Sequence, residues 1–439
     1  MQDHFRIKSF HLFKLIACAL LIRVLASPFA LTYAQESAGK GLPALVQGDE
    51  RLGRSLLLHA HAGSPEKNIV LAPLPITVSL AALDSFAWSE DLGKQLDSAL
   101  GWHRGLGLSS AMPQLMVLFE KPKPIPCSPK TKALANKQFG LDILCPKGTP
   151  DGAWINNTFL YRSGPEIHDP IPDYVRRDME KEFAFTFIDV GSKTPGTEDL
   201  QKRGSLAGTL PKEFSNPSQE KPDDVWINSS LHLKTRWRGN TFSMSTPRSG
   251  EFHAFSGSSR EITFLDSELG LYYHAKTSMF EAVTLPADDA YMLIVMPEKE
   301  VSMQQLEEEL ASHPEALDVA LEKQVGIVTM PVFHMQYDSD LSESIKAMGI
   351  TQPFLDLRGM INIPESHLTR LAQRVDIEVD KNGIRANAET VGAIVYGGIL
   401  AAPKPFRMVV DRPFVFLIRD QTSNALLFIG ALMDPNQTR

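Results

Sequence analysis

Residues 379–402, VDKNGIRANAETVGAIVYGGILAA, restrict what this chain can become more than any other stretch. From Ile384 to Thr390 every second residue (Ile384, Ala386, Ala388, Thr390) is small or uncharged, while Arg385, Asn387 and Glu389 between them are polar or charged. That two-residue period belongs to a strand with a thin inner face. Gly383 stands in front as a hinge, Gly392, Gly397 and Gly398 loosen the far half, and the first proline is Pro403. A central strand needs every backbone N–H in its ladder, so an earlier proline would bar the segment from a sheet. Without one, two fates stay open: a solvated linker, or an exposed loop able to slot into a sheet as a strand.

The 439 residues, 43% of them hydrophobic, suffice for one large or two ordinary globular domains with a sizeable core. A net charge of −8 leaves no basic footprint for nucleic acid or an anionic membrane and points to a protein or neutral partner. Arg6, Lys8 and Lys14 precede the apolar run 15–22, and Thr32-Tyr33-Ala34 offers a small-residue cleavage site, so residues 1–34 read as an export signal. Arg23 interrupts the apolar run and disfavours a membrane span. The expectation is a secreted, extracellular protein with no membrane attachment after cleavage; a lipid anchor at Cys18 is disfavoured by the charged residues before it. Cleavage leaves Cys127 and Cys145, which in an exported protein most simply form a local disulfide, the alternative being two unrelated thiols. Neither has a second Cys or a His at metal-ligand spacing, so no metal is assigned.

Helical spacing marks 48–60 and 91–100, and 68–83 begins as a short strand and becomes an apolar helix with Pro75 in its first turn. Residues 105–150, rich in Pro and Lys, read as a surface excursion. Strands are expected over 153–161, 184–190, 224–237, 250–255, 261–265, 272–274, 282–285, 291–296, 326–335, 373–379, 413–419 and 425–432, with helices over 172–183, 303–310 and 339–348. Helices gather early and strands late, an α+β arrangement with no boundary that splits the chain.

Five motifs in order resemble those of the serpins. Asn68-Ile69-Val70-Leu71-Ala72-Pro73-Leu74 resembles the family's NxxxSP helix entry, and 224–237 with Phe242 resembles its VNxxxFKxxW strand. Thr329-Met330-Pro331-Val332-Phe333 resembles LPKF, and Met348-Gly349-Ile350 with Phe354 resembles MGIxxAF. Residues 411–420 resemble the C-terminal signature DRPFxFxIRD, which Leu427-Phe428-Ile429-Gly430 and Asp434-Pro435 complete. The resemblance implies one serpin domain over 42–435, with three β-sheets, about eight or nine helices and an exposed reactive-centre loop at 381–412. It also implies a suicide substrate and no enzyme: a serine or cysteine protease attacks the bait bond, and the cut loop enters the largest sheet before the acyl-enzyme hydrolyses. No cofactor is implied, and the partner is a serine-type endopeptidase met by a monomer.

Within that resemblance several positions depart from the pattern. Lys381 stands where an acidic residue usually opens the hinge, and Ile384 where Thr or Ser follows the hinge glycine. Ala72 and Pro75 replace two serines and Gln373 replaces the histidine of the polar cluster under the sheet opening, with Asn228 the nearest match to its remaining Asn. Those departures motivate a second reading, a non-inhibitory serpin serving as a binding or carrier module. The family's usual spacing from Gly383 puts the scissile residue at Gly397, bonded to Gly398, with Tyr396-Gly397 the near alternative. No Arg or Lys lies between Asn387 and Pro403, so chymotrypsin-like or elastase-like pockets are expected over trypsin-like ones. His59 and His61 read as surface or cap histidines, and Glu307-Glu308-Glu309 as a solvated helix face.

Overall fold

The computed structural model describes residues 28–86, 89–103, 108–120, 151–161, 170–189, 224–239, 241–242, 244–362, 365–385 and 404–436. Residues 1–27, Cys127, Cys145, the interval 190–223 and residues 386–403, with their candidate bait bonds, lie outside these. Eight α-helices and sixteen strands occur among the described residues. The α-helices are α1 (Pro28–Ala62), α2 (Pro73–Phe86), α3 (Glu90–Leu100), α4 (Leu108–Leu118), α5 (Asp173–Glu182), α6 (Met303–Ser312), α7 (Glu315–Ala320) and α8 (Ser342–Ala347). None is long and apolar enough to cross a membrane.

One sheet has six strands in the order β11 (Phe333–Asp340), β12 (His367–Asp380), β13 (Gly383–Arg385), β4 (Asp224–Arg236), β2 (Gly152–Tyr161) and β3 (Phe185–Asp189). The other runs β1 (Ile69–Leu71), β16 (Leu426–Leu432), β15 (Phe414–Asp420), β9 (Ala290–Pro297), β8 (Phe280–Pro286), β7 (Gly270–Lys276), β10 (Glu322–Pro331), β6 (Ser259–Asp266) and β5 (Arg248–His253), with β14 (Phe406–Val409) paired to β10. Hydrogen bonding between β7 and β10 makes these ten strands one continuous array. Strands β15 and β16 are buried along their whole length, which explains why they read as unbroken apolar runs. Helix α2 is buried from Pro73 to Leu83 and lies against β4 and β2; the proline at its start sits where helical N–H groups have no intrahelical partner.

Three expectations give way to tertiary structure. The single strand over 326–335 is two, β10 and β11, in different sheets: Pro331 has no N–H to carry the ladder on, and Val332 donates to Thr263 O at 2.9 Å. Within 105–150, α4 is regular and buries Ala111, Met112 and Leu115 in the core. His61 and Glu307, expected on the surface, are both buried and hydrogen-bonded to each other, joining the end of α1 to α6.

Candidate functional site

The six-stranded sheet is built in two halves. In its lower half β12 and β4 pair directly and in parallel, from His367 opposite Asp224 to Gln373 opposite Ser229. In its upper half they part, and β13 lies between them, antiparallel to both. Asp380 ends β12 and its carboxylate builds the turn, accepting from the backbone N–H groups of Asn382 (2.7 Å) and Gly383 (3.2 Å) and from the Asn382 side chain (2.9 Å). Trp237 clamps the turn from the β4 side, its indole N–H donating to Asp380 O at 2.7 Å.

Gly383 makes this docking possible. Its φ of +151° is rarely adopted by L side chains, and a Cβ there would meet Thr235 O at 2.1 Å. Ile384 follows, opposite Val379 on one side and Thr235 on the other, and its side chain is wholly buried. A larger residue than the Thr or Ser of the family pattern is therefore accommodated inside the sheet at the first step.

Below β13 is a slot. Among the described residues, 374–377 of β12 and 230–233 of β4 have no strand partner across it, though each wall is held from outside, by β11 and by β2. Its buried lining is Val375 and Ile377 from one wall and Leu231 and Leu233 from the other. On the outer face, Arg374 pairs with Asp338 at 3.5 Å and Asp376 meets His334 at 2.7 Å, while His232 stacks on Trp154 with centroids 5.1 Å apart.

The slot closes at the Gln373–Ser229 rung, where both side chains turn inward and are buried. The Gln373 amide clasps the backbone of Ala72, accepting from its N–H at 2.8 Å and donating to its carbonyl at 2.6 Å. The Ser229 hydroxyl meets that of Ser79 at 3.1 Å, and Ser79 also donates to Pro75 O at 2.9 Å. Loss of the two family serines at Ala72 and Pro75 thus leaves backbone groups that Gln373 and Ser79 satisfy. From β4 the cluster takes Ser229 and not Asn228, because strand alternation turns Asn228, half-buried, to the opposite face. Counting one place on from Asn228 would have found it.

The far end of the undescribed interval is anchored in the other sheet. Phe406 begins β14 and lies flat on the His274 ring, with centroids 3.8 Å apart, over Gly326, where a Cβ would meet its ring at 2.2 Å. His274 is held between Glu281 and Gln324, each at 3.1 Å. Burial raises the Glu281 carboxyl, but hydrogen bonds from His274 and Lys276 outweigh it and hold the group below its ordinary value. Residues 386–403 therefore run from one sheet to the other. Among the described residues no group of three metal-ligating side chains occurs.

A parted main sheet, a hinge strand inside it and a segment strung from that hinge to a second sheet define the class. The sequence model of one family, Serpin (serine protease inhibitor), matches residues 207–435, just over half the chain. The chain belongs to the serpin family. It is 24% identical to Serpin-ZXA of Oryza sativa subsp. japonica over 403 residues, covering 88% of this chain and 95% of that one. It is 23% identical to a serine protease inhibitor of Cyanea capillata over 396 residues, 84% and 93% of the two chains. Among solved structures, native protease nexin-1 with heparin superposes with a TM-score of 0.68 at 19% identity, covering 90% of this chain and all of that one. Human thyroxine-binding globulin complexed with thyroxine gives the same TM-score at 16% identity, with the same coverage of each chain.

Proposed function

We propose that this protein is a secreted inhibitor of serine proteases that acts once, by letting its target cut the 381–412 loop and carrying the trapped acyl-enzyme along as the freed arm enters the six-stranded sheet. One observation carries the reading: β13 already lies between β12 and β4 with Ile384 buried. Loop insertion of this kind is strand addition, in which backbone hydrogen bonds supply the gain. Cutting anywhere from 386 to 403 would release the hinge arm from β14 while leaving its base in place. About fourteen residues entering at roughly 3.3 Å each would move the protease by about 45 Å. The relatives named serine protease inhibitor and serpin support this class of function, with the protein a substrate and no catalyst. Targets are chymotrypsin-like or elastase-like, because the bait region contains Val395, Tyr396, Gly397, Gly398 and Ile399 and no Arg or Lys. It acts as a monomer outside the cell, following the export signal in residues 1–34.

The non-inhibitory alternative is favoured by Lys381 at the turn and by the likeness to a thyroxine-binding structure. One experiment separates the two. Incubation with chymotrypsin or pancreatic elastase yields an SDS-resistant complex and a nicked form far harder to melt if the protein is an inhibitor; a nicked form that melts like the parent, with no complex, refutes inhibition. Mass spectrometry of the released peptide identifies the bait bond.

A further inference from the structure

The register of β13 extends, by counting alone, to residues it does not yet include. Each step from Arg385 moves one rung down β12 from Glu378 and one rung down β4 from Lys234. Ala386 thus arrives between Ile377 and Leu233, and Ala388 between Val375 and Leu231. These four are the buried apolar side chains of the slot, and a methyl group is what the space between two such walls admits. Thr390 arrives at the Gln373–Ser229 rung, the one place where the lining is polar. On the outer face, Asn387 falls between Asp376 and His232, and Glu389 between Arg374 and Ser230.

Inner and outer faces agree at every rung. Small apolar residues meet apolar walls, a hydroxyl meets an amide and a hydroxyl, and a carboxylate meets a guanidinium. A slip of one residue would turn Asn387 and Glu389 into the core and set the alanines against charged groups. We infer that the slot is a register-reading site for residues 386–389 of the same chain, in which Arg374 receives the Glu389 carboxylate. The inference rests on the inhibitory reading and adds to it the residues that align the entering strand.

Arg374 is a positioning residue here. In the native protein it contacts Asp338, on the side of β12 away from the slot. Residues 386–389 enter without breaking any pairing of β12 with β4; the next, Thr390, must open the rung that Gln373 holds to Ala72. Entry is thus divided into a filling stage, aligned by Arg374, and an unzipping stage that starts at Gln373.

The test uses the full chain nicked by chymotrypsin, with the rate at which thermal resistance appears as the readout. Glu389→Lys and Arg374→Glu each slow that rate about three- to fivefold, and the double reversal brings it back to within about twofold of the parent. Melting of the uncut variants confirms that each folds, and the rate of nicking confirms that the bait is unchanged. Single variants without effect, or slowing that simply multiplies in the double variant, overturn the register. A parent that gains no thermal resistance on nicking overturns the inhibitory reading and the register with it. A parent that gains it without coupling between 374 and 389 overturns the register alone.

Discussion

Asn68 shows how much one side chain settles in this protein. Its amide accepts from the backbone N–H of Met433 (2.7 Å) and Asp434 (3.0 Å) and donates to the carbonyl of Asp434 at 2.7 Å, so the first and last motifs of the chain are one contact. Gly383 is the corresponding residue at the hinge. Gly383→Ala is expected to expel β13, since its Cβ would meet Thr235 O at 2.1 Å; the amides of residues 383–385 then exchange with solvent much faster, and unchanged protection would show that the sheet can yield there. Gln373→Met removes both halves of the clasp and leaves the Ala72 N–H and C=O without partners in a buried place. A loss of about 2 kcal/mol is expected in the urea unfolding of the native protein, and an unaltered midpoint counts against the clasp. The identity of these residues was legible in the sequence, Gly383 as the hinge and Gln373 as the departure from His. What the clasp binds was not, because Ala72 and Gln373 are 301 positions apart.

Among elements, α1 and α6 are joined by charge as well as by packing. Both ring nitrogens of His61 face oxygen acceptors, Glu307 at one and Lys67 O at the other (2.9 Å), so both must donate and the ring is an imidazolium. Burial lowers its basicity, but the Glu307 hydrogen bond and charge outweigh burial and raise it above its ordinary value of 6.5. The sign follows: a raised folded-state value means the stabilisation is complete below the ordinary value and is lost as pH rises through the raised one. His61→Gln is therefore expected to lose less stability than the parent between about pH 6 and about pH 9, as read from urea midpoints; equal slopes would remove the imidazolium from the account. The spacing of His59 and His61 was plain in the sequence, and the surface reading failed because the partner that buries His61 comes from 246 positions away. The same limit applies to the strand at 326–335. Its apolar pattern is continuous, and only the position of two sheets decides that the chain changes from one to the other at Pro331.

For the whole molecule, the arrangement around the slot describes a fold short of its lowest free energy, with four rungs on each wall that a strand from the same chain can fill. Ala386→Arg is expected to leave native folding intact, since the slot forms without residue 386, and to convert the inhibitor into a substrate: the guanidinium would have to enter between Ile377 and Leu233. The yield of SDS-resistant complex falls at least tenfold while the loop is still cut, and a full yield sinks the insertion account. Composition and motif order alone determined that this is an α+β chain of serpin type, with a proline-free, thin-faced segment near its end, because periodicity, proline placement and motif spacing are local properties that survive in one dimension. Only the tertiary structure decided that the hinge is already inside the sheet, that Gln373 and Ser229 close the space below it, and that Ile384 fits there. Those facts depend on how far apart β12 and β4 stand, and a distance between two strands separated by more than a hundred residues is set by everything packed beneath them.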